Sequence, residues 1–352
     1  MKKLVNDFIA LVKIDSISGS EDDVAEFLFE YFKKTGSTVK KDSYGNIYVR
    51  IDGIGESVLF SAHMDTVEPG RNINPIVRNG FVCSDGKTIL GGDNKIAIAC
   101  IMESIRQLEE KNIVHRPIEL VFTRSEEIGN LGAINFNYLL IDSKEGYCFD
   151  SSNPVGTIIS ASPFYERLDI EIAGLSGHAA YPEKALNVIE ILGKILPKIK
   201  LGKQDKYTVF NIGIITGGDA RNTIPGNLAL NGEIRSFSEK KLIYHRQKIL
   251  DIFKSVTKKL GGKCSIKIIR ENPGYSFSKN KLSHCIDVMK TLGIKPKVML
   301  SWGVSDANIF NGKKLSCINL GDGGEYSHTT NERIKISEMF KLVKLMMALT
   351  SN

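Results

Sequence analysis

Apolar residues in the first 160 positions recur at two spacings, and the alternation between them is the clearest signal in the chain. In the opening MKKLVNDFIALVKID, Leu4, Phe8, Leu11 and Val12 fall on one helical face, which predicts a helix over about 3–15. The two lysines and apolar stretch resemble a secretion signal superficially, but Asn6, Asp7 and Lys13 interrupt it, so it reads as a core-packing helix. A second helix is expected over 21–35, with Ser20 as N-cap and Asp23 three residues on. NIYVRI (46–51) and SVLFSAHM (57–64) read as strands. A helix follows LGGDNK, with apolar residues at 96, 98, 99, 101, 102 and 105, and strands return at IELVFTR (118–124) and GYCFD (146–150). Such alternation predicts a layered α/β domain with a mixed, largely parallel sheet flanked by helices. In sheets of this type, sites form at the carboxyl ends of the strands.

Near residue 162 the pattern changes. YERLDIEIAG reads as a strand of alternating polarity and PEKALNVIEILGKIL as a helix. YTVFNIGIITGG and NLALNGEIRSF follow as strands, then a long helix from SEKKLIYH and a last strand, KCSIKIIREN. Strand–helix–strand–strand–helix–strand is an α+β unit that buries one face of a four-stranded sheet under two helices. After about 276 the texture returns to alternating helix and strand, ending in a helix near 336–350. The expected division is therefore 1–162 with 276–352 as one domain and 163–275 as an insert.

Composition narrows the function without naming it. The 352 residues, 42% hydrophobic and 25% charged, suit a globular protein with a sizeable core. No apolar run approaches the ~18 residues of a membrane span, so no membrane role is expected. The net charge of +7 is concentrated in 163–275, which holds 19 Lys and Arg against 11 Asp and Glu. These cations are spread along predicted helices and strands without interleaved aromatics or a nucleic-acid motif. They read as a solvated face that can attract a carboxylate-bearing substrate, not as a nucleic-acid site. The six cysteines (83, 100, 148, 264, 285, 317) are far apart with no CxxC pair, as in reduced, mostly buried thiols of a cytoplasmic protein.

Candidate chemistry lies where apolar runs give way to turns: His63 and Asp65 in SAHMDTV, Asp93 in LGGDNK, Glu126 and Glu127 in RSEEIG, Asp150 in CFDSS and His328 in YSHTT. Residues i and i+2 of a strand share a face, which lets the Asp65 carboxylate hold the second ring nitrogen of His63. Asp93, in a glycine turn before a helix, is either a helix cap or a carboxylate able to bridge two metals. Of the adjacent Glu126 and Glu127, one can bind metal while the other stays free as a general base. Each alone is unspecific: a Glu–Glu pair is commonly a solvated loop. Together, five His and carboxylate ligands suit two Zn²⁺ ions, or Mn²⁺ or Co²⁺, and point to a hydrolase.

The motifs SAHMDTV, LGGDNK, EEIGNLGA, GLSGHAAYPEKALNVI, NTIPGN followed by EIRSF, SDANIF and YSHTTNE resemble the M20 family of di-zinc peptidases and amidohydrolases nearly end to end. KDSYGNIYV and the length are similar to its peptidase T-like (tripeptide aminopeptidase) branch. The resemblance implies that His63, Asp93 and Asp150 hold one zinc and Asp93, Glu127 and His328 the other, with Asp93 bridging. It implies Glu126 as the base and Asp65 as the residue orienting His63. The segment 163–275 becomes a lid and dimerisation domain, making the protein a homodimer, with His178 reaching the partner's site to stabilise the oxyanion and Asn222 and Arg235 contacting substrate. Without the resemblance, His178 reads as an ordinary loop residue and Arg235 as a partner for Glu233. Three departures stand out: Asn94 where a second Asp is frequent, Ala180 where Gly is common, and Trp302 and Val304 where small residues are usual. Trp302 reads equally as pocket lining or core. The implied activity is tripeptidase-like aminopeptidase cleavage of short peptides. The alternatives are an N-acyl amino acid amidohydrolase or carboxypeptidase, and a non-catalytic metal-binding dimeric scaffold.

Overall fold

The computed structural model describes residues 2–351. The chain divides into two units. One comprises the residues up to Ala161 with Phe277–Ser301 and the residues from Ser305 on; the other is Ser162–Ser276 with Trp302–Val304.

The first unit is built on a mixed sheet. Its neighbours run Thr38–Lys41, Ile47–Ile51, Ile118–Thr123, Val58–His63, Glu145–Ser151, Ser316–Gly321 and Thr157–Ser162, with Lys297–Leu300 beside the last. The four central strands, from Ile118–Thr123 to Ser316–Gly321, are mutually parallel. Val58–His63 and Ile118–Thr123 are buried at every position, as expected of parallel strands covered on both faces. Helices Lys2–Val12, Asp22–Lys34, Gly92–Glu110 and Ile336–Leu349 supply much of the rest of one apolar core, with Phe8, Phe32, Phe60, Phe122 and Phe149 fully buried. The first helix buries Leu4, Phe8, Leu11 and Val12, the face its spacing predicts.

Ser20 does not cap the second helix: Glu21 takes the N-cap position without a capping bond. The Glu21 carboxylate turns inward instead and accepts from Gly19 N, from Ser125 N and Oγ, and from Arg124 Nε. A four-stranded antiparallel sheet of very short strands also goes unpredicted: Gly324–Glu325, Arg333–Lys335, Phe81–Cys83 and Ile76–Arg78. Two to three residues carry no readable periodicity.

The second unit is an antiparallel sheet ordered Gly202–Lys203, Thr208–Gly217, Asn227–Ser236, Phe164–Ala173 and Lys263–Asn272. Alternation places Leu168, Ile170, Ile172, Leu228, Leu230 and Ile234 against helices Val188–Ile195 and Glu239–Lys259. Tyr165, Arg167, Asp169, Asn231, Glu233 and Arg235 occupy the alternate positions. The helix expected from Pro182 is shorter and starts at Val188, capped by Asn187 Oδ1 on Ile189 N at 2.9 Å. Upstream, Leu186 exchanges both backbone hydrogen bonds with Leu175, which keeps that stretch extended. All six cysteines are free, five of them buried. Among the described residues, no helix is long and apolar enough to cross a membrane.

Candidate metal centre and active site

The site gathers at the carboxyl ends of the parallel strands. His63 closes its strand, Asp150 sits one residue before the end of the next, and Glu126 and Glu127 follow Thr123 in the turn. His63 is buried, with Nε2 3.1 Å from Asp93 Oδ1 and 3.7 Å from Asp150 Oδ1. On the far side of Asp93, Oδ2 lies 3.5 Å from His328 Nε2, which is 2.7 Å from Glu127 Oε1. Among the described residues, three groups have donor atoms within 4.8 Å of one another: His63–Asp93–Asp150, Asp93–Glu127–His328 and His63–Glu126–Glu127. Asp93 belongs to the first two.

Hydrogen bonds from neighbouring residues hold His63, the Glu–Glu turn and Asp150 in place. Asp65 lies beyond the strand and offers His63 Nδ1 both its carbonyl at 3.0 Å and Oδ1 at 3.3 Å. Its carboxylate also accepts from Glu126 N, Glu127 N and Ser18 Oγ at 2.9, 3.1 and 2.7 Å. One side chain thereby ties His63 to the Glu–Glu turn. Burial opposes the Asp65 charge, yet these contacts hold its carboxyl below the usual range. Asp93 is no helix cap. Gly91, left-handed at φ 67°, takes that position, and Asp93 itself is non-helical. The Asn94 amide donates to Phe149 O at 2.6 Å and to Asp150 Oδ1 at 3.3 Å. An Asp at 94 would lack both donors.

Sequence reasoning missed the supporting residues. Glu332 is buried and accepts from Leu90 N (2.7 Å), Gly91 N (2.8 Å) and Asp93 N (3.0 Å), so one carboxylate holds the whole Gly-Gly-Asp turn. The Asn319 amide brackets Asp150, accepting from its N–H at 3.0 Å and donating to its carbonyl at 2.8 Å. Asn130 Nδ2 donates to Glu126 Oε1 at 2.6 Å and to buried Asp306 at 3.0 Å, and Asp306 accepts from Thr123 Oγ1 as well. Glu332 and Asp306 lie inside the motifs YSHTTNE and SDANIF, but only the tertiary fold reveals their tasks.

The electrostatics follow from crowding four carboxyls around two imidazoles. Burial, with repulsion from Asp93, pushes Asp150 up to about 8 against the pull of His63. Burial first, and the Asp150 charge second, push Glu126 well above the ordinary carboxylate range. Asp93 is held well below it: burial opposes the charge, but both histidines hydrogen-bond to it. Bonds to Asp93 and Glu127 raise His328 to about 10 against the effect of burial. Acids packed this closely cannot all ionise without positive charge among them. The donor set, nitrogen and carboxylate oxygen on a shared Asp, fits divalent cations.

The other three predicted residues belong to the second unit. His178 is exposed in the two-residue strand Gly177–His178, paired with Thr223–Ile224, and its Nδ1 accepts from Ala180 N at 3.1 Å. Exposed Asn222 accepts from Ala179 N through its carbonyl at 2.9 Å. Arg235 pairs with Glu233 through Nε at 3.3 Å and Nη2 at 3.1 Å, donates from Nη1 to Trp302 O at 3.0 Å, and stacks on the Tyr165 ring at 4.4 Å.

Residues 59–352 match peptidase family M20/M25/M40. The chain belongs to this family. A tripeptidase of Staphylococcus aureus subsp. aureus Mu50 is 32% identical with a TM-score of 0.96, and aminopeptidase PepT of Bacillus cereus ATCC 10987 is 33% identical with a TM-score of 0.94. Each alignment covers 99% of this chain and 97% of the other. Peptidase T of Escherichia fergusonii is 27% identical over 84% of this chain and 72% of that one. This M20 chain is thus a metal-dependent peptidase of the peptidase T-like branch.

Proposed function

We propose that this M20 peptidase is a tripeptidase-like aminopeptidase that cleaves short peptides with two Zn²⁺ per subunit and Glu126 as general base. The observation that carries the reading is the placement of Asp93 between His63 and His328, with Asp150 and Glu127 flanking. In this reading His63, Asp93 and Asp150 hold one ion, and Asp93, Glu127 and His328 the other. When bound, the ions supply an activated water and positive charge for the scissile carbonyl. Glu126 Oε1 is engaged by Asn130, leaving Oε2 to take the water proton and return it to the leaving amine. Asp65 keeps His63 oriented and spaces the Glu–Glu turn from it. The residues up to 162 and from 276 form the catalytic domain, and 163–275 act as lid.

The lid also serves dimerisation in this reading. Strand Thr208–Gly217 is covered at the start of its outer edge, where Gly202–Lys203 pairs with Val209 and Phe210 and Gln204 N donates to Thr208 O. Beyond them it presents exposed Ile214 and Ile215, an open edge suited to a second copy. His178 reaches the partner's site to stabilise the oxyanion, and Asn222 and Arg235 contact substrate. Arg235 spends three of its five N–H donors within the unit, and the remaining two suit a substrate carboxylate.

The test is zinc-loaded protein on a tripeptide with a free amino terminus and on its N-acetyl form. Release of the first residue from the free peptide alone is expected. Cleavage of the acetylated peptide instead moves the reading to an N-acyl amino acid amidohydrolase or carboxypeptidase, and no turnover on either peptide refutes it.

A further inference from the structure

Trp302 is the only tryptophan of the chain. It is 37% exposed, so it is not core filling. Exposed aromatics are common singly, but this one is anchored at three points. Its ring packs edge-on against Phe237 at 4.5 Å, its carbonyl accepts from Arg235, and the next carbonyl, of Gly303, accepts from Ser162 Oγ at 2.9 Å. Residues 302–304 pack with the second unit although the segments on either side belong to the first. Phe237 is two residues beyond Arg235, and Tyr165, directly opposite Arg235 across the strands, carries its guanidinium. An apolar, partly exposed ring is thus fixed beside a guanidinium that retains two donors.

We propose that Trp302 is a specificity residue, forming with Phe237 an aromatic wall for the side chain of the substrate's last residue while Arg235 takes its carboxylate. The inference rests on the peptidase reading and on Arg235 as a substrate contact. It names the substrate class: short peptides ending in a large apolar residue. The geometry separates the two tasks. The group that positions Arg235 is the Trp302 carbonyl, which every substitution retains, so replacing the side chain removes only the wall.

The experiment compares kcat/KM for Ala-Ala-Phe and Ala-Ala-Gly in the zinc-loaded wild type, Trp302→Ala and Trp302→Phe. Trp302→Ala is expected to lower the Phe-ended substrate by about tenfold or more, the scale on which an apolar pocket discriminates, and to change the Gly-ended one less than about twofold. Trp302→Phe restores most of the difference. Should Trp302→Ala not fold, the wild type reports directly. Its single-tryptophan emission is followed while adding Ala-Ala-Phe with a CH₂–NH link in place of the first peptide bond, and the Gly-ended counterpart. A saturable emission shift with the first and little with the second is expected. A selectivity ratio unchanged by Trp302→Ala, or no shift from an analogue that competes with substrate, overturns the assignment of Trp302 alone. If neither tripeptide is hydrolysed, the tripeptidase-like reading falls and this inference with it.

Discussion

The two units hold their candidate functional residues in opposite ways. In the first, every proposed metal ligand but His328 is largely withdrawn from solvent, and buried partners support the site: Asp65 spans His63 and the Glu–Glu turn, Glu332 holds three N–H groups of the Asp93 turn, and Asn319 brackets Asp150. In the second, His178 and Asn222 are exposed, while Arg235 leans on Glu233, a main-chain carbonyl and one ring. Chemistry demands positions fixed to a fraction of an ångström, and rigid strand ends with buried hydrogen bonds supply that. Recognition of varied peptides tolerates looser, solvated side chains. The difference implies that substitutions in the first unit strike turnover or metal affinity, whereas those of Asn222 and Arg235 in the second strike KM; His178, proposed to act on the oxyanion, is the exception and strikes kcat.

The largest effect should come from Glu126→Gln. The amide cannot accept the water proton, and kcat should fall about 10³-fold, within the usual range for a general base. Glu126 is not among the proposed ligands, so zinc content by elemental analysis should stay at the wild-type level. Retained turnover would refute the role, and lost zinc would make Glu126 a ligand instead. Next comes Glu332→Ala. It orphans the N–H groups of Leu90, Gly91 and Asp93, each costing about 1–3 kcal/mol when buried without a partner. Zinc affinity should fall about 10–100-fold, as when groups orienting metal ligands are removed, and thermal unfolding should shift down. Glu332→Gln keeps one acceptor and should lie between. Wild-type affinity in both variants would break the claim that the first unit is over-determined.

How much was legible in the sequence follows the same division. The parallel strands announced themselves because strands buried on both faces are continuous apolar runs, and the candidate acids and histidines punctuate their ends. The alternating polarity of Phe164–Ala173 and Asn227–Ser236 likewise gave the second sheet. What stayed hidden depends on contacts distant in sequence. Glu332 and Asp93 are 239 residues apart, and Thr123 and Asp306 are 183 apart. The four-stranded sheet that precedes and follows the His328 loop has strands too short to show a period. Ser20 had the chemistry of a cap but lost the place to Glu21, whose carboxylate is recruited by the turn before the Glu–Glu pair. Local rules fail there because a tertiary hydrogen bond outweighs a local one.

The smallest and sharpest prediction is Arg235→Lys. Lysine keeps the charge but loses the planar fork that serves Glu233, Trp302 O and the Tyr165 face together. If Arg235 binds the carboxylate equally in the ground and transition states, KM for a tripeptide should rise about three- to tenfold with kcat unchanged. The C-terminal amide of the same peptide, lacking the carboxylate, should show nearly equal KM in wild type and variant. A fall in kcat with constant KM would mean that Arg235 acts on the transition state. Recognition in the second unit would then be as finely placed as the chemistry in the first, and the contrast between them would be one of solvent exposure alone.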